Sequence, residues 1–358
     1  MTAEYRVAVA GCGAMANEWI GYALKRQDVE IVALVDIRLE AAEAMAGKYG
    51  LNAATYTDIK QAIEETGANL VFDVTIPSSH YHIAATALEL GCNVFSEKPL
   101  AESLEQCSRI AAIAKRTGRS HAVMQNRRYD PRIRSLKELI EAGTIGRTGY
   151  TGASFFLAPH FGGFRDAMDS PLLLDMAIHT FDQARFITGA DPVTVYCQEF
   201  NPPGSWYAGN AAAVCIFEMS DGSVFCYQGS WCAEGAPTSW EAAWRVQGEK
   251  GAVLWDGTGM PYAEVIQDSG DDVQFLRKYE RTQGAEVLME ETFHHGCLRE
   301  MFQAVSEQRP AETDCRDNIY SMAMVFGALE SARTGRKLEI ADLLSQSGGE
   351  LRQKLESV

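Results

Sequence analysis

The sequence is poor in the features that take a chain to a membrane, to nucleic acid or out of the cell. Its 358 residues are 46% hydrophobic, yet no run approaches the roughly 18 uncharged apolar residues of a spanning helix. That excludes a helical membrane protein. No basic segment precedes an apolar core at the N-terminus: MTAEYRVAVAG enters a strand-like alternation at once, so no export leader is expected. Lys and Arg number 32 against 48 Asp and Glu, for a formal charge of −16, and they form no cluster. Nucleic acid and anionic membrane surfaces are therefore not expected partners. The nine cysteines include no Cys-x-x-Cys pair, and none stands beside a histidine at zinc-finger spacing, so no metal site is expected. They read as reduced thiols, with the cytoplasm as the expected location. Internal repeats and low-complexity tracts are also missing.

What is present is a change of rhythm. Residues 5–125 alternate short apolar runs, YRVAVA (5–10), EIVALVD (30–36), LVFDVT (70–75), NVFSE (93–97) and HAVMQ (121–125), with Ala-rich helical stretches closed by glycine. Unalternated strands separated by helices predict a parallel sheet covered on both faces. After residue 126 one helix (131–142) leads to longer strands, TGYTGASFF, VTVYCQEF, AAAVCIFEM, SVFCYQGSW and AAWRVQGE. The turns SDGS and GEKG predict hairpins and a largely antiparallel sheet. Two helices, 295–307 and 314–334, follow, and DSGDDVQ (268–274) reads as a solvated loop. The length allows two domains, expected at 1–125 and 126–358.

The first strand runs into GCGAMA, which supplies Gly11, Gly13 and Ala16 in the order G-x-G-x-x-A. The first glycine permits a tight turn, the second lets a pyrophosphate approach the backbone, and the small third residue permits close packing. The helix start offers free N–H groups to the anion. Asp36, at the end of the second strand, is placed to accept hydrogen bonds from the adenosine ribose and to repel a 2′-phosphate. NAD is favoured; Arg38, two residues on, leaves NADP as the second option.

NVFSEKPLAES ends the fifth strand with Glu97, Lys98 and Pro99. Ligands of doubly wound sheets sit beyond the carboxyl ends of the strands, so Lys98 emerges where a nicotinamide is expected. Pro99 keeps Lys98 out of helical geometry. In LLLDMAIHTFDQARF (172–186) the apolar residues wrap nearly all round a helix. Asp175, His179 and Asp182 nevertheless share one face at i, i+4 and i+7. Ser170 suits the cap of this helix and Pro171 its first position, with Gly189 as its end. Asp182 reads as structural, holding nearby backbone or Arg185.

Together these residues resemble the Gfo/Idh/MocA oxidoreductases over essentially the whole chain. The matching motifs are GCGAMA, IPSSH, SEKPLA, QNRRYDP, GFRD, the D-x-x-x-H-x-x-D stripe and NIYSMAMVFGALESARTGRK. The resemblance implies an N-terminal Rossmann domain and a C-terminal α/β domain with a large, mostly antiparallel open sheet. It also implies dehydrogenation of one carbinol of a sugar, cyclitol or related polyol, in a homodimer or homotetramer. Lys98, Asp175 and His179 match the catalytic lysine, acid and histidine. Pro77 and His80 match residues lining the cofactor cleft, and Arg165 matches an arginine near the nicotinamide. The sequence departs from the family pattern at Phe164, in place of a tryptophan. It departs again at Ser170-Pro171-Leu172, in place of three glycines, which bears on the pocket floor and so on substrate identity. The expected cofactor-binding set is Gly11, Cys12, Gly13, Ala14, Met15, Asp36, Ile37, Arg38, Thr75, Ile76, Pro77, His80, Glu97, Lys98, Gln125 and Arg165.

In the expected chemistry His179 takes the hydroxyl proton as hydride leaves, Lys98 hydrogen-bonds the developing alkoxide, and Asp175 orients the hydroxyl or the imidazole. Lys98 as the base remains the alternative. Arg127, Arg128, Tyr129, His160, Phe161, Trp206 and Tyr207 lie in segments expected to reach substrate. Two other readings use the same fold: an NAD-using glycosidase or lyase, and a non-catalytic sensor. The latter is disfavoured by the retained Lys98, Asp175 and His179.

Overall fold

A computed structural model describes residues 3–267 and 275–346, so the loop expected over 268–274 lies outside the described residues. The chain divides into two compact units. One takes in residues up to Asn126 together with His294–Met322; the other takes in Arg127–Phe293 and Ala323–Ser345.

The first unit is a βα alternation: β1 (Tyr5–Ala10), α1 (Ala16–Ala23), β2 (Val29–Val35), α2 (Leu39–Tyr49), β3 (Ala54–Tyr56), α3 (Ile59–Thr66), β4 (Leu70–Asp73), α4 (Pro77–Glu89), β5 (Asn93–Ser96), α5 (Leu104–Thr117) and β6 (His121–Val123). The strands form one sheet in the order β3-β2-β1-β4-β5-β6, and every pairing is parallel. Order reverses beside β1, which opens the crevice between β1 and β4 where such sheets bind ligands. Val7, Ala8, Val9 and Ala10 are all buried, because helices cover both faces and leave no strand position for a polar side chain. Helices α2, α3 and α5 are ended by Gly50, Gly67 and Gly118 in the left-handed conformation. The short edge strand β3 has no counterpart among the strands expected from the sequence.

His294–Met322, expected with the second domain, packs with the first. The reason is Phe302 on the helix Phe293–Ser306. Its ring meets Tyr5 at 5.1 Å, Phe72 at 6.1 Å and Phe95 at 5.1 Å, each edge to face. Aromatic edge contacts of this kind add to the area that they bury, so the helix closes one face of the parallel sheet.

The second unit begins with α6 (Pro131–Glu141), capped by Asp130, and β7 (Thr148–Phe156). A π-helical stretch, Leu172–Ala177, then runs into α7 (Ile178–Thr188), which ends at the left-handed Gly189. There follow β8 (Pro192–Phe200), β9 (Ala212–Met219), β10 (Val224–Ser230), β11 (Ala243–Gly248), β12 (Gly251–Trp255), β13 (Tyr262–Ile266), β14 (Tyr279–Gln283) and β15 (Leu338–Glu339). They build a nine-stranded sheet, β14-β13-β12-β11-β7-β10-β9-β8-β15. Its pairings are antiparallel apart from β7 with β10. SDGS and GEKG turn β9 into β10 and β11 into β12. One sheet face is buried under α7, whose Phe181 meets Phe217 at 5.0 Å and Tyr227 at 5.2 Å. The opposite face presents Tyr150, Tyr196, Val214 and Ile216 to solvent. Among the described residues no helix is long and apolar enough to cross a membrane.

Candidate active site

In the first unit the chain leaves β1 at Gly11, whose φ of +89° and close approach leave no room for a side chain. A Cβ there would lie 2.5 Å from the Val74 carbonyl oxygen. Beside Gly13, by contrast, a Cβ would meet nothing within 4 Å. The helix that follows carries no side-chain cap at Met15. The turn is therefore an open backbone cradle at a helix N-terminus, the arrangement that an anionic pyrophosphate needs. Asp36 is fixed at its rim: Oδ2 accepts from the Cys12 N–H at 3.0 Å and Oδ1 from the Arg38 N–H at 3.0 Å. Each carboxylate oxygen keeps capacity for a ribose hydroxyl. These residues fit a dinucleotide.

The turn after β4 is braced from below. Asp73 Oδ1 accepts from the Thr75 hydroxyl at 2.6 Å and from its N–H at 3.2 Å. Ile76 is exposed, and Pro77 occupies the first turn of α4. His80 is buried behind this turn, with Nδ1 3.2 Å from Asp73 Oδ2 but off the hydrogen-bonding axis. After β5, Glu97 accepts from the Trp19 indole N–H at 2.9 Å and from the Lys98 N–H at 3.3 Å. Lys98 is half-buried, and the Lys98–Pro99 bond is cis. Gln125, beyond β6, is buried with neither end of its amide hydrogen-bonded among the described residues. A buried amide without partners is costly and suits a ligand group.

In the second unit the acidic stripe resolves into two unlike carboxylates. Asp175 lies in the π-helical stretch, its side chain 13% exposed, and accepts from Arg165 Nε at 2.7 Å. Arg165, on a 3₁₀ turn at Gly163–Ala167, is flanked by the rings of Phe161 and Phe164 at 5.1 and 4.8 Å. His179 follows on α7 and is 8% exposed. Asp182 is buried and takes a bidentate bond from Arg128, 2.7 Å at each contact. Its partner is thus Arg128 from 54 residues upstream, while Arg185 pairs with Asp191 at 2.6 Å. Both differ from the local pairing expected; the two-point contact with Arg128 is one that local sequence proximity does not foretell. Arg128, expected near substrate, has its fork committed to Asp182.

Ser170 departs from expectation too. Its hydroxyl caps no helix; it donates to Glu199 at 2.9 Å, and its carbonyl accepts from the Leu174 N–H. Burial drives the Glu199 carboxyl up to about 7, against the opposing effect of Ser170 and Asn210.

The other substrate candidates divide by accessibility. Arg127 is buried, donating to the Trp240 carbonyl with Nε 3.6 Å from Glu241. Burial lowers the Arg127 guanidinium and raises the Glu241 carboxyl. Tyr129 is buried under Arg134, and Tyr207 is buried with its hydroxyl donating to the Pro159 carbonyl at 3.3 Å. These side chains pin segments together. His160 and Phe161 are open: His160 stacks on Trp206 at 3.8 Å and approaches Glu234 at 2.9 Å. Phe161 stands 6.0 Å from Trp231 and 6.4 Å from Trp240. Nearby lies a slot of about 310 Å³ between Leu157, Pro159, Pro237 and Trp240. Sequence reasoning missed Trp231 and Trp240, although SWCAEGAPTSWE has the same loop chemistry as PPGSWYAGN.

Comparison with known proteins agrees with this architecture. A family model described as an oxidoreductase family with an NAD-binding Rossmann fold matches residues 5–125, and the GFO/IDH/MocA C-terminal domain matches 133–254. The chain is 31% identical over 190 residues to the D-glucoside 3-dehydrogenase of Escherichia coli (strain K12), covering 51% of this chain and 54% of that protein. It is 33% identical over 186 residues to an inositol 2-dehydrogenase/D-chiro-inositol 3-dehydrogenase of Lacticaseibacillus casei, covering 51% and 52%. The alignments thus span about half the length of these two relatives. In structure it resembles an oxidoreductase from Agrobacterium radiobacter, solved with NAD+, L-tartaric acid and magnesium. The TM-score is 0.82 at 20% identity, covering 95% of this chain and all of that one. The two family models, one for each half of a Rossmann-plus-open-sheet architecture, together match two thirds of the sequence, and the chain belongs to the Gfo/Idh/MocA family of NAD-binding oxidoreductases.

Proposed function

We propose that this protein is an NAD-dependent dehydrogenase acting on one carbinol of a sugar, cyclitol or related polyol. The observation that carries the reading is the split of the acidic stripe. Asp182 is consumed in a buried ion pair with Arg128, whereas Asp175 is oriented by Arg165, which lies against the exposed rings of Phe161 and Phe164, and His179 follows one turn on. The family resemblance assigns Lys98 as the third group of the catalytic set. His179 takes the hydroxyl proton, imidazole being the side chain that exchanges protons near neutrality. Lys98 donates a hydrogen bond to the oxygen as negative charge grows on it. Asp175, oriented by Arg165, holds the hydroxyl or the imidazole. Bound NAD supplies the acceptor for the carbinol hydride, so that alcohol and NAD+ give carbonyl, NADH and one proton. Gly11, Gly13 and the backbone as far as Met15 hold the pyrophosphate, and Asp36 the adenosine ribose.

The test is a screen of sugars, cyclitols and glycosides with NAD and NADP in parallel, followed by absorbance of the reduced cofactor. Reduction of NAD by at least one polyol is expected. Release of an aglycone without net NADH would instead identify an NAD-using glycosidase or lyase. Silence from every compound, by a protein that binds NAD, would remove the dehydrogenase reading.

The same proposal extends to assembly and location. The solvent-facing side of the nine-stranded sheet, with Tyr150, Tyr196, Val214 and Ile216, supports a homodimer or homotetramer, checked by light scattering. The nine cysteines are free thiols, seven of them buried, which supports a reducing cytoplasm.

A further inference from the structure

The segment that carries Asp175 is held at its start by a group that the proposed chemistry does not use. Three bonds tie residues 166–170 to the end of β8 and the loop after it. The Ala208 N–H donates to the Asp166 carbonyl at 2.8 Å, the Asn210 N–H to the Asp169 carbonyl at 2.7 Å, and the Ser170 hydroxyl to Glu199 at 2.9 Å. Between the first two, Gly209 lies flush on the loop: a Cβ there would stand 2.0 Å from the Asp169 oxygen. The Asn210 side chain stands close enough to favour the charged form of Glu199. The other carboxylate oxygen, Oε1, is buried with no hydrogen-bond partner among the described residues.

Stability does not explain a carboxylate in this place. No cation is among the groups that shift Glu199; beside it are Ser170 and Asn210, and the Cys215 thiol on the neighbouring strand feels its charge. The strand neighbour opposite is Ala213. An acid desolvated without a counter-charge is a local cost, and such costs collect where geometry is needed for function. The geometry here is unusual: Ser170 opens a π-helical stretch, a form that rarely persists unless its surroundings impose it. Ser170 is fastened twice, by its carbonyl to Leu174 and by its hydroxyl to Glu199.

We propose that Glu199 is a positioning residue: through Ser170 it fixes the first turn of the π-helical stretch, and so sets where Asp175 and His179 stand. The proposal rests on the dehydrogenase reading for the roles of those two residues. Its test uses the full chain as Glu199→Ala, Glu199→Gln, Ser170→Ala and the double variant Ser170→Ala/Glu199→Ala. Two readouts are taken: amide hydrogen exchange of peptides covering 170–180, and kcat, KM and NAD affinity with a substrate from the screen. Glu199→Ala should speed exchange in that segment and lower kcat, each by about tenfold, with NAD affinity unchanged. Ser170→Ala should match it, and the double variant should be no worse than either, since both remove one bond. Glu199→Gln, which keeps an acceptor for the Ser170 hydroxyl, should recover most of both; it also carries the test should the alanine variant fail to fold. Unchanged exchange in 170–180 overturns the proposal whatever happens to turnover, and so do losses that multiply in the double variant. Exchange needs no substrate, so a protein that oxidises nothing sinks the dehydrogenase reading while the exchange rates still decide the role of Glu199.

Discussion

Replacing Asp182 by alanine is the sharpest test of how the acidic stripe divides. Arg128 donates from Nε and Nη2 to the two oxygens of Asp182, both at 2.7 Å, and the side chains are only 6% and 2% exposed. Deleting the carboxylate leaves a buried guanidinium without its bidentate partner, against the Phe186 ring at 5.6 Å. Breaking one side of a buried pair costs roughly 3–5 kcal/mol, where an exposed pair would cost under about 1 kcal/mol. In a unit of this size that lowers the thermal midpoint by roughly 10 °C. The assay is urea denaturation of wild type, Asp182→Ala and the double variant Arg128→Met/Asp182→Leu, followed by circular dichroism. Two compact units allow two transitions, and the one that moves should be that of the second unit. Removing both charges should recover most of the loss, because the desolvation cost goes with them. If Asp182→Ala unfolds within about 1 kcal/mol of wild type at neutral pH, the assignment of Asp182 to structure fails.

Three further outcomes follow from the same geometry. His179→Ala should lower turnover by roughly 10²-fold or more while NADH fluorescence still reports normal binding, as loss of a general base requires; near-normal turnover would end its proposed role. Gly13→Ala should fold and bind NAD poorly, since its Cβ enters the open cradle. Gly11→Ala should damage the fold itself, since its Cβ meets the Val74 carbonyl at 2.5 Å; equal stability of the two variants would contradict this. The Glu199 carboxyl is raised in the folded protein from 4.5 to about 7, so the native state holds that proton more tightly than the unfolded chain. Relative to Glu199→Gln, wild-type stability should be greatest below about pH 4.5, decline as pH rises to about 7 and stay level above; a difference independent of pH in denaturation series would refute the shift.

The parallel sheet was legible because its strands are short, unalternated and separated by helices with glycine ends. YRVAVA became β1 residue for residue, and TGYTGASFF became β7. Edge strand β3 was not, since three residues carry no period to read. The glycine turn and Asp36 were legible because backbone freedom and charge are properties of residue type. The Arg128–Asp182 pair was not: it joins residues 54 apart, and nothing local distinguishes Arg128 from Arg127. Ser170 and Pro171 have the chemistry of a helix start, and the helix does begin there. The π-helical turn and the contact with Glu199 are imposed by β8 and the loop after it, which a local pattern cannot anticipate.

Phe302 gives the first unit a dependence on distant chain. A nascent polypeptide released as far as Gln125 would have made all six parallel strands yet would leave Tyr5, Phe72 and Phe95 without the ring that caps them. Some 177 residues must still be synthesised before that ring arrives, and closing so long a loop is slow. The nucleotide-binding half is therefore finished late although it is translated first. An uncovered aromatic patch in the interval is the kind of surface that chaperones hold and that drives aggregation when they do not.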